Sequence, residues 1–418
     1  MAEEDMPLLT LDERRKYLKR VWPRYLQANR SERSTLLTEM EQVTAMHRKS
    51  IIRLMKGASL ERKKRNTSRP PTYGKEVRQV VILVWESLDY ICAQRLVPQL
   101  LSTARHLARF GELDTVGVTL TPHLEQQLAC ISQATVQRMM NRIRKLHTLD
   151  SNMPLPRKGP DRANRRNSVT KAVPMGRISW QTQEPGHFEV DLVHHCGGSA
   201  AGEYAHTLQM VDAATGWSER VAVLGRGQRA MQEGFTRIKE RVPFSIKELH
   251  PDNGPEFFND HMIRFWGEEL TGLRLSRSRP YQKNDNRWVE QKNDTLVRAY
   301  LGNGRLDTSR HVWALNEMYE LMWVYYNLFQ PVLHLTEKIY REGEGTIQRK
   351  WDQAKSPYER LLQSGVLTHE QQQRLEVLHA QTNPRELRKE IYRRLAQIWE
   401  WQTQAQPAEL SERIASIA

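Results

Sequence analysis

The sequence predicts a multidomain chain with all-α helix-turn-helix modules at its N-terminal end. An α/β core on a mixed five-stranded sheet follows, and then a mostly α C-terminal region. Three observations predict this. Apolar residues recur at helical spacing up to about residue 148, alternate along short segments from about residue 180, and return to helical spacing in the tail. The 418 residues suffice for about three domains. The segments read as 1–56 (helix-turn-helix), 57–75 (basic linker), 76–150 (second helical module), 151–177 (second basic linker), 178–335 (α/β core) and 336–418 (packing or assembly region).

Composition removes several classes. A hydrophobic fraction of 39% with eleven Trp is enough for real cores, which excludes wholesale disorder. No apolar run approaches the ~20 residues of a membrane span. The first residues are acidic (Glu3, Glu4, Asp5) and lack an apolar signal core, so secretion is not expected. Cys92, Cys130 and Cys196 lie far apart and form neither a disulfide framework nor a CxxC zinc pattern.

The net charge of +14 is unevenly spread. Residues 1–177 hold 33 Lys+Arg against 17 Asp+Glu, residues 178–330 hold 17 against 20, and residues 331–418 hold 13 against 12. All the excess basicity is therefore in the first part, where an anionic polymer, by default nucleic acid, is the expected partner.

Within that part, 11–56 reads as helical. Two short runs, Ser34 to Met40 and Ala45 to Lys56, have the rhythm of a helix-turn-helix, with Ser31 or Ser34 as cap of the first and Thr44 of the second. The second run turns Ile51, Ile52 and Met55 inward and Arg48, Lys49 and Arg53 outward, towards phosphates or base edges. The linker that follows carries Pro70-Pro71 and the basic knot Arg62, Lys63, Lys64 and Arg65, suited to a DNA backbone or minor groove. Residues 76–148 are helical and apolar enough to pack. Near their end Ser132 precedes a second candidate reading helix. It buries Val136, Met139, Met140 and Ile143 and presents Gln133, Thr135, Arg138 and Arg142. The second linker, including Arg165 and Arg166, has seven Lys+Arg against one Asp. Ordinary helical hairpins and solvated basic faces are the plain alternatives for these segments.

From residue 180 the order reads β-β-β-α-β-α-β-α. The strands lie at 187–195, 204–216, 217–224, 245–254 and 274–280, and the helices at 228–241, 258–271 and 286–301. Three carboxylates stand out. Asp191 sits between Val190 and Leu192 at a strand centre, an expensive place for a charge unless it is paired or binds metal. Asp252 ends the fourth strand in HPDNGPEF, and Glu290 lies on the helix after the fifth strand, in NRWVEQKN. If the first and fourth strands are neighbours, all three reach one sheet edge. Three hard oxygen ligands suit Mg²⁺ or Mn²⁺. Two such ions can activate an attacking oxygen and stabilise a leaving one at phosphorus.

The stretches EVDLVHH, HPDNGPEF and RPYQKNDNRWVEQKN resemble the catalytic core of the DDE transposase/retroviral-integrase superfamily over about residues 180–335. The layout is similar to bacterial insertion-sequence transposases. The resemblance implies a ribonuclease H-like fold with Asp191, Asp252 and Glu290 as catalytic residues holding two Mg²⁺ or Mn²⁺ ions. Asp191 would bridge both ions, with Asp252 on one and Glu290 on the other. It further implies 3′-end cleavage at double-stranded element ends and strand transfer into target DNA. A homo-oligomer of at least two copies on DNA, a possible helper ATPase or accessory subunit, and a bacterial cytoplasmic, nucleoid-associated location go with it. The interval from Asp252 to Glu290 is slightly longer than the family's common one, and the usual Gly ahead of the Glu is absent, Asp285-Asn286 standing there. A nuclease without strand transfer and a DNA-binding protein with an inactive core are the alternatives.

Glu256 and Asp285 are rival acids, of which Glu256 lies only four residues beyond Asp252. His194, His195 and Cys196 make a poor chelate, because adjacent strand residues point to opposite faces. Lys283, Arg287 and Lys292 flank Glu290 and are candidate DNA contacts, as is Asn293. The aromatic run WALNEMYELMWVYYNLF reads as core. In the tail, Leu387, Ile391, Leu395 and Ile398 share a helix face suited to packing or assembly.

Overall fold

The structure is a computed structural model that describes residues 9–57, 72–146, 175–176, 182, 184–252, 254, 256–269, 272–279, 285–340 and 347–415. The chain divides into two compact units, Met1–Thr72 and Tyr73–Ala418.

The first unit is a three-helix module of α1 (Leu11–Gln27), α2 (Arg30–Thr44) and α3 (Arg48–Met55). Its core is Leu18, Val21, Tyr25, Leu36, Leu37, Met40, Ile51 and Met55. Ile51 and Met55 are buried as expected, and Lys49 and Arg53 are exposed on the other side of α3. The caps differ from the expected ones. Asn29, not Ser31 or Ser34, starts α2, because its side chain accepts from Ser31 N and Glu32 N while Glu32 reaches back to its backbone. His47 starts α3, accepting from Lys49 N. Thr44 closes α2 instead, its hydroxyl donating to Met40 O (2.5 Å). Arg48 spans the turn, donating to Ser34 Oγ, Thr38 Oγ1 and Glu41 Oε2 at 3.0–3.1 Å. Asn29→Ala is expected to cost this unit about 1 kcal/mol, measurable as a lower urea midpoint of the isolated three-helix transition.

The second unit opens with four helices, α4 (Lys75–Ser87), α5 (Ala93–Arg109), α6 (Pro122–Cys130) and α7 (Gln133–Leu146). They do not form a separate core. Val80, Val84, Leu96, Leu100 and Val136 belong to the same buried cluster as Phe188, Val190, Leu208 and Trp217 of the α/β region. The reason lies in α4, which buries Val77, Val80, Val81, Leu83, Val84 and Trp85 around its circumference, more than its sister helices alone cover. On α7, Val136, Met140 and Ile143 are buried, while Gln133, Arg138 and Arg142 are exposed and Thr135 is half-buried.

A short parallel pair, β1 (Met175–Gly176) with β7 (Arg277–Ser278), flanks the central sheet. That sheet has five strands in the order β4-β3-β2-β5-β6: Ser218–Leu224, Ala205–Asp212, His187–His194, Glu248–Pro251 and Arg274–Leu275. β2, β3 and β4 are antiparallel, while β5 runs parallel to β2 and β6 parallel to β5. This is the expected mixed sheet, with the first and fourth core strands as neighbours. One face packs α8 (Gln228–Arg241) and α9 (Asp260–Glu269) through Leu208, Met210, Met231, Phe235 and Trp266. α10 (Arg287–Lys292) runs through a π-helical turn, Asn293–Arg298, into α11 (Ala299–Leu301). Then α12 (Ser309–Val324) and a second π turn (Tyr325–Phe329) bury Leu315, Met318, Tyr319, Met322 and Tyr325, so most of the aromatic run is core.

The C-terminal region is mostly helical: α13 (Pro357–Ser364), α14 (His369–Gln381) and α15 (Pro384–Ala415). It also contains an antiparallel pair absent from the sequence reading, β8 (Leu335–Tyr340) with β9 (Ile347–Trp351). Ile391, Leu395 and Ile398 are buried in one cluster with Leu315, Met318 and Tyr325, so this helix face packs within the unit. Among the described residues, no helix is long and apolar enough to cross a membrane.

Candidate active site

Register brings the two aspartates together. In the parallel β2–β5 pair, Val190 stands opposite Pro251, so the next residues, Asp191 and Asp252, emerge side by side. Asp191 Oδ1 accepts from Leu192 N (2.8 Å) and Oδ2 from Asn293 Nδ2 (2.6 Å). Asp252 Oδ1 accepts from Gly254 N (2.9 Å). Desolvation in the cleft raises both carboxyls above the ordinary carboxylate range. The neighbouring negative charges raise them further, Glu290 and Glu256 for Asp191, and Asp191 and Glu256 for Asp252.

Glu256 thus faces both aspartates, although its closeness to Asp252 in sequence argued against a separate role. Its side chain is 8% exposed, with Arg226 Nη1 3.6 Å from Oε2, an oxygen that makes no hydrogen bond. Gly254 makes this approach possible. A Cβ there would stand 2.9 Å from Asp252 Oδ1, 2.9 Å from Glu256 Oε1 and 2.8 Å from Glu256 Cδ. Asp285, the other rival, is fully buried and bound through both oxygens by Arg279 (2.8 Å each), which holds its carboxyl low.

Glu290 lies on α10 and is exposed, its charge felt at Asp191. The trio is not a closed chelate. Among the described residues, no group of three or more His, Cys, Asp or Glu could hold a metal ion as it stands. The residues nevertheless fit a hard divalent cation. All donors are carboxylate oxygens, two of them in mutually repelling, desolvated carboxyls, with the hydrogen-bond-free Glu256 Oε2 beside them.

This arrangement has a pH signature. A carboxyl whose folded pKa lies above its unfolded value binds its proton more tightly in the folded chain. The stabilisation is complete below the unfolded value and is lost as pH rises through the raised ones. With a chelator present, the melting temperature is expected to fall as pH rises from the ordinary carboxylate range towards neutrality, and Mg²⁺ or Mn²⁺ at neutral pH is expected to restore it. Calorimetry over that range checks both.

The flanking cations divide. Arg287 stacks over Trp288, 3.6 Å from the ring centroid. Lys292 is half-buried rather than on a solvated face. Burial first, then Arg95 and Arg220 nearby, lowers its ammonium to about 7. Lys283, Arg62, Lys63, Lys64, Arg65, Arg165 and Arg166 lie outside the described residues. His194 and His195 diverge as the strand requires. His195 is buried against Thr207 Oγ1 (2.7 Å), and His194 lies by Tyr204 and His206.

Sequence reading missed a polar row through the sheet. Asp191 pairs with Gln209 and Gln209 with Arg220, so the three share one face. Gln209 and Arg220 are buried, with both amide atoms of Gln209 and Nε and Nη2 of Arg220 lacking hydrogen-bond partners. It also missed Glu189, two residues before Asp191 and therefore on the same face. That period-two spacing was the available signal.

No family model matches the chain. A protein of Sinorhizobium fredii named "Uncharacterized protein y4rM" is 33% identical over 335 residues, which cover 78% of this chain and 89% of that protein. Among solved structures, the catalytic core domain of BIV integrase aligns with 43% of this chain and 95% of its own. The identity is 18% and the TM-score 0.28, a likeness too distant to argue from.

Proposed function

For this chain, which belongs to the family of the Sinorhizobium fredii protein y4rM, we propose metal-dependent DNA transposition: 3′-end cleavage at element ends followed by strand transfer. The observation that carries this reading is the side-by-side emergence of Asp191 and Asp252 from parallel neighbouring strands, with Glu290 on the helix beside them. The sequence motifs around the three residues support it.

In this reading Asp191, Asp252 and Glu290 hold Mg²⁺ or Mn²⁺, two ions per site. Bound there, the ions supply Lewis-acid polarisation of the phosphodiester and a more nucleophilic attacking oxygen. The chain's own part is positional. Gly254 lets Asp252 and Glu256 converge, and Asn293 orients Asp191 through its Oδ2. The exposed cations of α3 and α7 (Lys49, Arg53, Arg138, Arg142), with Gln133 and Thr135, are proposed to hold double-stranded DNA. Two ends joined in one event call for at least two copies of the chain. A helper ATPase or accessory subunit and a bacterial cytoplasmic setting belong to the same proposal.

The test incubates the full chain with Mg²⁺, labelled element-end DNA and a plasmid target. The reading expects joined product, lost in Asp191→Asn, Asp252→Asn and Glu290→Gln. Activity surviving those changes removes the site assignment. Cleavage without joining favours a plain nuclease, and binding without cleavage favours an inactive scaffold.

A further inference from the structure

Glu189 is completely buried, yet no positively charged side chain hydrogen-bonds to it in the described structure. Its Oε2 accepts from two backbone amides almost a hundred residues away, Trp288 N (2.7 Å) and Val289 N (3.1 Å). These belong to the first turn of α10, whose amides have no partner within the helix. A helix normally meets this need with a side chain at its own N-cap. Here the N-cap is Asn286, which makes no capping bond and has φ −117°, ψ 39°. Turned with its nitrogen towards Ser278 Oγ (2.8 Å), its amide would accept from Asp252 N (3.3 Å). The central strand therefore supplies the cap that the local sequence does not.

Position gives this contact its consequence. Glu189 and Asp191 are two residues apart on one face of β2. Glu189 grips α10 at Trp288 and Val289, and Asp191 grips the continuing helix at Asn293 (2.6 Å). Glu290 lies between the two grips, and its charge reaches Glu189 as well as Asp191. The two amides occupy Glu189 Oε2, while its Oε1 has no hydrogen-bond partner. Burial pushes the Glu189 carboxyl up to about 8, and the two amides and the nearby Arg287 charge act in the opposite direction.

The geometry points to Glu189 as a positioning residue of the site, a carboxyl group on the central strand that holds the first turn of α10 and so fixes Glu290 relative to Asp191. The inference rests on the metal-site reading proposed above. Outer partners of metal ligands typically change affinity about 10–100-fold when removed.

The test uses the full chain with two readouts. One is Mn²⁺ affinity, by electron paramagnetic resonance. The other is hydrogen–deuterium exchange of peptides across 286–300. Glu189→Ala is expected to weaken Mn²⁺ binding about 10–100-fold and to speed exchange at 287–298, with peptides of β3 and β4 unchanged. Glu189→Gln keeps an amide oxygen facing Trp288 N and Val289 N, and is expected to restore both readouts most of the way. Wild-type Mn²⁺ affinity and exchange in a folded Glu189→Ala protein would overturn the inference. So would faster exchange spread evenly over the sheet, which marks a general core role. Asp191→Asn serves as the control. If it binds Mn²⁺ like wild type, the metal-site reading fails by itself, and the anchoring of α10 by Glu189 is then decided by the exchange data alone.

Discussion

Replacing Asp252 with asparagine is expected to slow DNA cleavage and joining by about 10³-fold or more while making the metal-free chain more stable near neutral pH. The first effect follows from the role proposed for Asp252, a cation ligand worth several kcal/mol in the transition state, each 1.36 kcal/mol being a factor of ten. The second follows from what surrounds Asp252. Desolvation and the charges of Asp191 and Glu256 oppose its ionisation, so an uncharged isostere relieves repulsion in the folded state. Stability set aside at a functional site is commonly recovered in this way. The Gly254 N–H retains an acceptor, because the asparagine oxygen can take the place of Oδ1. Joining kinetics on labelled ends and thermal melts in a chelator measure the two effects on one preparation. A variant that loses activity and also melts lower would instead mark Asp252 as a structural turn residue.

Asp89→Ala is expected to cost about 3–5 kcal/mol of stability, the scale for removing one partner of a buried, hydrogen-bonded ion pair. Asp89 is 11% exposed at the end of α4, in the left-handed region at φ 56°. Its Oδ1 accepts from Arg388 Nε (2.8 Å) and Tyr392 OH (2.9 Å), and its Oδ2 from Tyr300 OH (2.8 Å). One carboxylate thus joins α4, α11 and α15. Its loss leaves Arg388 stacked over Tyr90 and Tyr392 without its counter-charge, and an alanine at positive φ adds strain. Urea unfolding should show the lower midpoint in the transition of residues 73–418, with the three-helix module unaffected. Asp89→Asn, which tolerates the left-handed backbone and keeps one acceptor, should lose less.

These two residues show what the sequence carried and what it did not. Asp252 was legible because its signal is local. An apolar strand, a turn and a carboxylate stand in one ten-residue window, and alternation located the flanking strands to within a few residues. Asp89 was not legible. Its partners lie 211 to 303 positions away, and nothing in the residues around it distinguishes a three-way anchor from a loop aspartate. The same limit explains why segment 76–150 read as a module of its own. Helical periodicity shows that α4 has buried faces but not which partner covers them. Caps failed for a different reason. Ser31, Ser34 and Thr44 are all good capping residues, and the choice fell to Asn29 through its reciprocal bond with Glu32. At the candidate site, the placement of Asp191 and Asp252 on neighbouring strands followed from the alternation and the turn around them. Glu189, Gln209, Arg220 and the turning of Lys292 away from solvent depend on strand register and packing, which spacing alone does not encode.

In the proposed function, Asp191, Asp252 and Glu290 bring a divalent cation to a DNA phosphodiester. The most direct measurement is joining into a target whose attacked phosphate carries a single non-bridging sulfur, run in Mg²⁺ and in Mn²⁺. Joining of the sulfur-substituted DNA is expected to be strongly reduced in Mg²⁺ and to recover in Mn²⁺, because Mn²⁺ accepts sulfur where Mg²⁺ demands oxygen. Equal joining of both DNAs in both metals, or joining that persists in excess chelator, would contradict it.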